Sequence, residues 1–281
     1  MRLGYLGPPG TFSEEAARQA TARRDAELGP FASIHEAVIA VDGGTVDRAL
    51  VPVENSLEGG VTATLDALAW DAPHTVILGE TVLAIRNCLI AREPIALDAI
   101  EVVISHPQPL AQCARFLRDE LPGAAVRAAA STADAVRTVA QSREPWAALG
   151  PHGAAERYAC HVLREEIDDE PGNATRFVWL ARVGAADDWD AADERPWKTS
   201  VVFAGAGDAQ PGWLVRCLSE FAFRGVNLTK IESRPRRGRL GHYLFHVDME
   251  GRAGEPAVAD AVDALHAHCE EVRLLGTYPA A

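Results

Sequence analysis

Asn173-Ala174-Thr175-Arg176-Phe177-Val178-Trp179-Leu180 rises out of the acidic, Gly/Pro-marked run Asp168-Asp169-Glu170-Pro171-Gly172 and continues as an apolar stretch. Such a transition predicts a strand whose first residues, a hydroxyl and a guanidinium among them, stand where loops converge and a ligand can reach them. Taken alone, the same stretch reads more simply as a strand start with a turn-forming asparagine and a surface arginine. The rest of the chain has to separate the two.

Upstream, strands and helices alternate. Residues 3–7 read as a strand broken by Pro8-Pro9-Gly10, after which Thr11 or Ser13 caps a helix with Glu14 and Glu15 in its first turn. A strand, a tight turn and a capped helix leave backbone N–H groups pointing outward, an arrangement suited to an anion. A helix over 34–41 leads to a strand over 49–53, which ends in Glu54-Asn55-Ser56, then Leu57-Glu58-Gly59-Gly60 and a helix over 61–68. In open α/β sheets the C-terminal ends of strands are where ligands bind; Asn55 and Ser56 otherwise do no more than cap the turn. Residues 75–90 form a long β-like run, interrupted at Gly79-Glu80 and Arg86-Asn87, that could cross from one lobe to another. A strand over 100–104 gives way to Ser105-His106-Pro107-Gln108 and a helix carrying Gln112, Cys113, Phe116 and Leu117. Strand 125–129, a helix over 133–141 capped by Ser131-Thr132, strand 146–149 and helix 152–158 follow. This alternation predicts βαβ units and a mostly parallel sheet.

After Val183 the texture changes. Residues 184–197 are acidic, alanine-rich and aperiodic, as an exposed linker is. Strand 199–204, helix 211–224, strands 226–233 and 241–249, helix 256–268 and strand 272–275 then give the βαββαβ order of the ferredoxin-like split unit.

The 281 residues suffice for two domains or three lobes, and 48% hydrophobic with 24% charged residues is ordinary for a soluble globular chain. A net charge of -13 argues against nucleic acid or an anionic membrane surface as partner. An anionic substrate would need local donors to overcome that field. The five cysteines, Cys88, Cys113, Cys160, Cys217 and Cys269, are scattered without a C-x-x-C pair. Buried free thiols in a reducing cytoplasm are expected, not a disulfide frame or a zinc site. Met1-Arg2 leads straight into Leu3-Gly4-Tyr5-Leu6, too short for a signal peptide, and no apolar run reaches membrane-spanning length. A cytoplasmic location is the expectation.

Several chemistries lack their residues. No G-x-G-x-x-G, Walker loop or G-x-S-x-G elbow occurs at a strand-to-helix junction. His266 and His268 diverge on a predicted helix, and His242 and His246 stand well apart on a predicted strand, so no metal and no cofactor are expected. What remains is a set of neutral polar groups at strand ends, Thr11, Asn55, Ser56, Ser105, Gln112 and Thr175, with Arg176 beside them. Such groups position a substrate and donate hydrogen bonds; they do not bind metal or attack covalently.

Together these segments resemble the prephenate dehydratase family over nearly the whole chain and in the right order. The resemblance is carried by Gly7-Pro8-Pro9-Gly10-Thr11-Phe12-Ser13 and by Pro52-Val53-Glu54-Asn55-Ser56 with Thr64-Leu65-Asp66. Ser105-His106-Pro107-Gln108 with Gln112-Cys113, and Asn173-Ala174-Thr175-Arg176-Phe177, complete its catalytic part. In the tail, Asn227-Leu228-Thr229-Lys230-Ile231-Glu232-Ser233-Arg234-Pro235 looks like the signature of that family's ACT regulatory domain.

The resemblance implies an α/β, bilobed catalytic domain over 1–183 of the type II periplasmic-binding-protein kind. Lobe 1 would comprise about 1–80 and 173–183 and lobe 2 about 81–172, followed by the linker 184–197 and a ferredoxin-like ACT domain over 198–281. The active site would lie between the lobes. The implied reaction converts prephenate to phenylpyruvate, water and carbon dioxide, with Thr175 as hydrogen-bond donor to the departing ring hydroxyl. Thr11, Glu54, Asn55, Ser56, Ser105, Gln112 and Arg176 would surround the dianionic substrate; Arg176 could instead brace the lobes through a carboxylate. Phe177 reads more as core than as ligand contact.

Phenylalanine is the implied effector, bound between two ACT domains, which also implies a homodimer or homotetramer. Gly212, Trp213 and Leu214 would form one wall of its pocket, Asn227 and Leu228 another, with Glu232 and Ser233 from the Glu-Ser-Arg-Pro segment. Trp213 replaces a small residue of the family, so its ring points to solvent or crowds the pocket. The alternatives are an ACT domain serving only dimerisation, an arogenate dehydratase, and a non-catalytic solute-binding or amino-acid-sensing protein.

Overall fold

The computed structural model describes residues 1–185, 195–205, 207, 210–238 and 240–281; of the expected linker, 186–194 lie outside the described residues. The chain forms two compact units. One comprises Met1–Ile34, Glu54–Gly59 and Val82–Arg176; the other His35–Val53, Gly60–Thr81 and Phe177–Ala281.

β1 (Arg2–Leu6) opens the chain, and Gly10, at a φ of +89° that favours glycine, turns it into α1 (Phe12–Thr21). Thr11 caps α1 by accepting the Glu14 N–H, while Glu14 reaches back to accept the Gly10 N–H. β2 (Glu27–Phe31) pairs in parallel with β1. Its sequence, Glu-Leu-Gly-Pro-Phe, has no apolar alternation, and so the strand is not legible beforehand. α2 (Ile34–Asp42), β3 (Arg48–Asn55), the two-residue β4 (Gly59–Gly60) and α3 (Thr62–Asp66), prolonged by a π turn over Ala67–Asp71, lead to β5 (Thr75–Ala84).

β5 runs unbroken through Gly79-Glu80, where an interruption is expected. The Glu80 carboxylate can sit inside a strand because it accepts Lys198 Nζ (2.8 Å) and the Ala281 N–H (3.0 Å). The break falls at 85–87, before β6 (Cys88–Ala91).

Next come β7 (Val102–Ser105), α4 (Pro107–Gln112), α5 (Ala114–Glu120), β8 (Ala125–Ala128), α6 (Thr132–Gln141), β9 (Trp146–Gly150), α7 (His152–Arg157) and β10 (His161–Arg164). One helix is expected through Gln112 and Leu117, but the chain turns at Cys113. The Asp169 carboxylate caps the new start by accepting the Arg115 N–H (2.8 Å).

The sheet order is β10-β6-β9-β7-β8. β7 is parallel to β8 and β9, and β6 is antiparallel to β9 and β10, so four strands run one way, as expected, and β6 alone is reversed. The reason is connectivity: β7, β8 and β9 each follow a helical segment, whereas β6 enters directly from β5. Leu89, Val103, Ala147 and Leu149 pack with Leu117 of α5 on one face; Ile90, Ile104 and Ala148 pack with Val136 and Val139 of α6 on the other. Burial on both faces explains these apolar runs.

β11 (Ala174–Arg182) lies between β3 and β5. The tail has the βαββαβ order expected: β12 (Trp197–Ala204), α8 (Trp213–Ala222), β13 (Leu228–Pro235), β14 (Tyr243–Glu250), α9 (Pro256–Leu265) and β15 (Glu271–Pro279). They form an antiparallel sheet of order β13-β14-β12-β15. Val201, Phe203, Phe245, Val247 and Met249 face α8 and α9. Alternate residues point the other way, where Ser200 donates to Asp248 (2.6 Å) and tail arginines reach α3 and its π turn: Arg234 pairs with Asp66 and Arg237 with Asp71. No helix is long and apolar enough to cross a membrane among the described residues.

Candidate active site

The expected site residues fall into a connected cluster and several outliers. The cluster lies within the first unit, where β3 ends, β11 begins and the C-terminal residue of α4 approaches. Main-chain bonds set the frame: Ser56 N donates to Ala174 O (2.9 Å) and Ile85 N to Asn173 O (2.8 Å). Ser56 adds its side chain, with Oγ accepting the Ala174 N–H at 3.0 Å. Its hydroxyl therefore pins two chain segments that are more than a hundred residues apart.

Asn55 is the hub. Its Oδ1 accepts the N–H groups of Leu57 (2.9 Å) and Glu58 (3.0 Å), which fixes which way the amide faces. Nδ2 then donates to Asn173 Oδ1 (2.8 Å), Thr175 Oγ1 (3.0 Å) and Ala174 O (3.2 Å). Asn173 Nδ2 donates to Gln112 Oε1 (3.4 Å), and Gln112 Nε2 to Glu58 Oε1 (3.5 Å). Thr175 is half-buried, and its oxygen serves as acceptor toward Asn55. The proton of that hydroxyl is thus the group it offers elsewhere.

Beside this network, Arg176 pairs with Glu54 through Nε (3.1 Å) and Nη2 (3.0 Å). Of the two uses open to Arg176, the structure shows the carboxylate partner, and that partner is itself an expected site residue.

Other expected residues sit differently. Thr11 caps α1 and donates to Leu6 O (3.2 Å). The Glu14 carboxylate next to it is pushed up by burial, yet the Gly10 N–H, Arg18 and Arg157 hold it below the usual carboxylate range. Ser105 is fully buried and donates to Leu149 O (2.8 Å), fastening β7 to β9. Phe177 is 1% exposed and belongs to the core. The Cys113 thiol, next to Gln112 in the chain, is buried and pushed far above the ordinary thiol range by that burial, so it is no nucleophile.

In the tail, Trp213 takes neither expected position. The residue is 5% exposed; its ring packs edge-on against Phe203 (6.2 Å) and tilted against Phe245 (5.9 Å), and donates from Nε1 to His268 O (2.6 Å). Gly212, at a φ of +77°, starts α8 in the left-handed region and turns the next side chain inward against the sheet. Ser233 and Thr229 point outward from β13, while Lys230, Glu232 and Arg234 face the other way, half-buried.

Two members of the cluster are not among the expected site residues: the Asn173 side chain, 4% exposed, and Glu58. Both stand inside stretches that the sequence singles out, Asn173 at the mouth of β11 and Glu58 in the loop after Asn55. Neighbourhood to those residues is the only signal that could have marked them.

A family model described as prephenate dehydratase matches residues 3–185. The prephenate dehydratase of Amycolatopsis methanolica is 41% identical over 280 residues, covering 100% of this chain and 89% of that protein. That of Mycobacterium tuberculosis strain H37Rv is 39% identical over 287 residues, with 99% and 87% covered. Among solved structures, prephenate dehydratase from Arthrobacter aurescens in complex with L-Phe superposes with a TM-score of 0.88 at 39% identity, covering 99% of this chain and 90% of that one. GqqA, described as a novel type of quorum quenching acylase, gives a TM-score of 0.85 at 27% identity, with 100% and 98% covered.

Proposed function

The chain belongs to the prephenate dehydratase family, and from that membership and the geometry around Asn55 we infer that it converts prephenate to phenylpyruvate, water and carbon dioxide, a step toward phenylalanine. The observation that carries the site reading is the bond from Asn55 Nδ2 to Thr175 Oγ1.

In the reaction the bond from ring carbon to carboxylate breaks, and its electron pair becomes part of the aromatic ring. The carbon–oxygen bond of the ring hydroxyl breaks in turn, and a proton joins that oxygen to give water. Aromatisation supplies the driving force, so the protein has to hold the two carboxylates and donate a hydrogen bond to the leaving oxygen. Thr175 is the catalytic residue in this reading. A threonine hydroxyl is far too weak an acid to act as a free proton source, so it stabilises the departing oxygen and relays a proton. Gln112, Arg176 and Ser56 surround the substrate, with Glu54 paired to Arg176. Thr11, at the start of α1, offers helix N–H groups to a carboxylate.

The tail reads as an ACT regulatory domain that takes phenylalanine; a relative of 39% identity is described in complex with L-Phe. With the Trp213 ring in the core, the effector pocket is lined on that side by the main chain at Gly212 and Leu214. Asn227, Leu228 and Ser233 complete it, whereas Glu232 faces the other side of β13 beside Lys230. β13, at one end of its sheet, supplies an edge for a second copy, giving a homodimer or homotetramer. A cytoplasmic location fits these roles.

Parallel assays on prephenate and arogenate, reading the keto or amino acid formed, test the activity. Phenylpyruvate from prephenate at the higher kcat/KM is the expected result; exclusive turnover of arogenate would move the chain to the related dehydratase. Calorimetry with phenylalanine should give heat with the whole chain, and silence with every aromatic amino acid would reduce the tail to an assembly module.

A further inference from the structure

The contacts around Asn55 close on themselves. The Glu58 main-chain N–H donates to Asn55 Oδ1 (3.0 Å), Asn55 Nδ2 to Asn173 Oδ1 (2.8 Å), Asn173 Nδ2 to Gln112 Oε1 (3.4 Å), and Gln112 Nε2 to the Glu58 carboxylate (3.5 Å). Four residues form a ring in which every hydrogen bond points the same way round. Bonds of one sense polarise and strengthen one another.

A ring of amides alone could run in either direction, because each amide presents an oxygen on one side and a nitrogen on the other. That freedom is removed at both ends. The main-chain N–H groups of Leu57 and Glu58 can only donate to Asn55 Oδ1, and the ionised Glu58 carboxylate can only accept from Gln112. Outside the ring, Asn55 accepts the Leu57 N–H (2.9 Å) and donates from Nδ2 to Ala174 O (3.2 Å) and to the Thr175 hydroxyl oxygen (3.0 Å). Were Asn55 turned over, its oxygen would face Thr175 and take the hydroxyl proton. The long links at 3.4 and 3.5 Å are those at Gln112, so the ring opens most easily there.

Resting on the dehydratase reading, we propose that Glu58 and Asn173 are positioning residues: their side chains close the ring that braces Asn55, already oriented by the Leu57 and Glu58 N–H groups, in its bond to Thr175, so that the Thr175 proton faces the departing hydroxyl of the substrate. Both act through Thr175.

The test is steady-state turnover of prephenate by the full chain. Glu58→Gln can turn its oxygen to Gln112, because the main-chain donors on Asn55 keep the sense of the ring, and it should hold kcat within about threefold of wild type. Glu58→Ala opens the ring and should lower kcat about tenfold, and Asn173→Ala about a hundredfold, each with KM changed less than about threefold. In a Thr175→Ala background the same two alanine substitutions should cost less than about twofold more, since the hydroxyl they orient is gone. Wild-type kcat in Glu58→Ala, or an undiminished penalty without Thr175, overturns the proposal. Glu58 is exposed, so its variants fold and decide the matter even where thermal melting shows Asn173→Ala to be unfolded. A wild-type protein that forms no phenylpyruvate is a separate outcome: it removes the dehydratase reading and this proposal with it.

Discussion

At the scale of single residues, the chemistry turns on which partner of a hydrogen bond holds the proton. Asn55 is held by two backbone donors on its oxygen and therefore shows nitrogen to Thr175. Thr175→Ala removes the donor to the leaving oxygen; kcat should fall about 10²–10⁴-fold while substrate affinity stays within severalfold. Asn55→Asp is the sharper experiment because it keeps the shape. An ionised aspartate only accepts, so it would draw the Thr175 proton toward itself, and kcat should fall about 10²-fold or more; its oxygen, set against Asn173 Oδ1 and Ala174 O, should lower the melting temperature as well. Normal turnover in that variant would mean that Thr175 donates nothing to the substrate. The sequence marks both residues as polar groups at strand ends, but their bond joins positions 120 apart and has no local signature.

At the scale of elements, α3 and its π turn are held from the tail. Arg273 of β15 donates to the main-chain oxygens of Leu68 (2.8 Å), Ala72 (2.7 Å) and Thr75 (2.9 Å), all in residues that are at most 1% exposed. Carbonyls past the end of a helix have no partner of their own, and here a single guanidinium satisfies them. Arg273→Met keeps the stem and removes the donors; urea unfolding should show a loss of about 2–4 kcal/mol, and a loss below about 0.5 kcal/mol would show that other groups take over. The helix over 61–68 is legible from its apolar spacing. Its continuation as a π turn is not, because that geometry is stabilised by an arginine some two hundred residues away. Trp213 gives the same lesson: a large aromatic after a glycine reads as either outward or obstructive, and only the sheet behind α8 turns it into core.

At the scale of the whole molecule, the buried polar face of the tail sheet links stability to pH. His246 is 3% exposed, and neither ring nitrogen has a hydrogen-bond partner among the described residues. Burial lowers its pKa from 6.5 to about 4; Lys230 and Arg234 act in the same direction, while Asp248 and Asp66 oppose them. Between those values the unfolded chain binds a proton that the folded chain refuses, so stability falls as pH drops through that window, by about 3 kcal/mol once it is crossed. His246→Leu should remove this acid sensitivity from melting curves recorded between pH 4 and 7; curves identical to wild type would place the acid sensitivity in other groups. Sequence alone settled what depends on near neighbours: the capped start of α1, the two-faced apolar runs of the first unit, the βαββαβ order of the tail, and the motif stretches that carry the family resemblance. Those follow from backbone preferences and side-chain periodicity, which act over a few residues. Tertiary structure alone decided that Ser105 fastens two strands, that Trp213 is core, and that Glu58 and Asn173 close a ring with Asn55 and Gln112. Each of those depends on the direction of a side chain relative to a segment distant in sequence, and that direction exists only once the chain has folded.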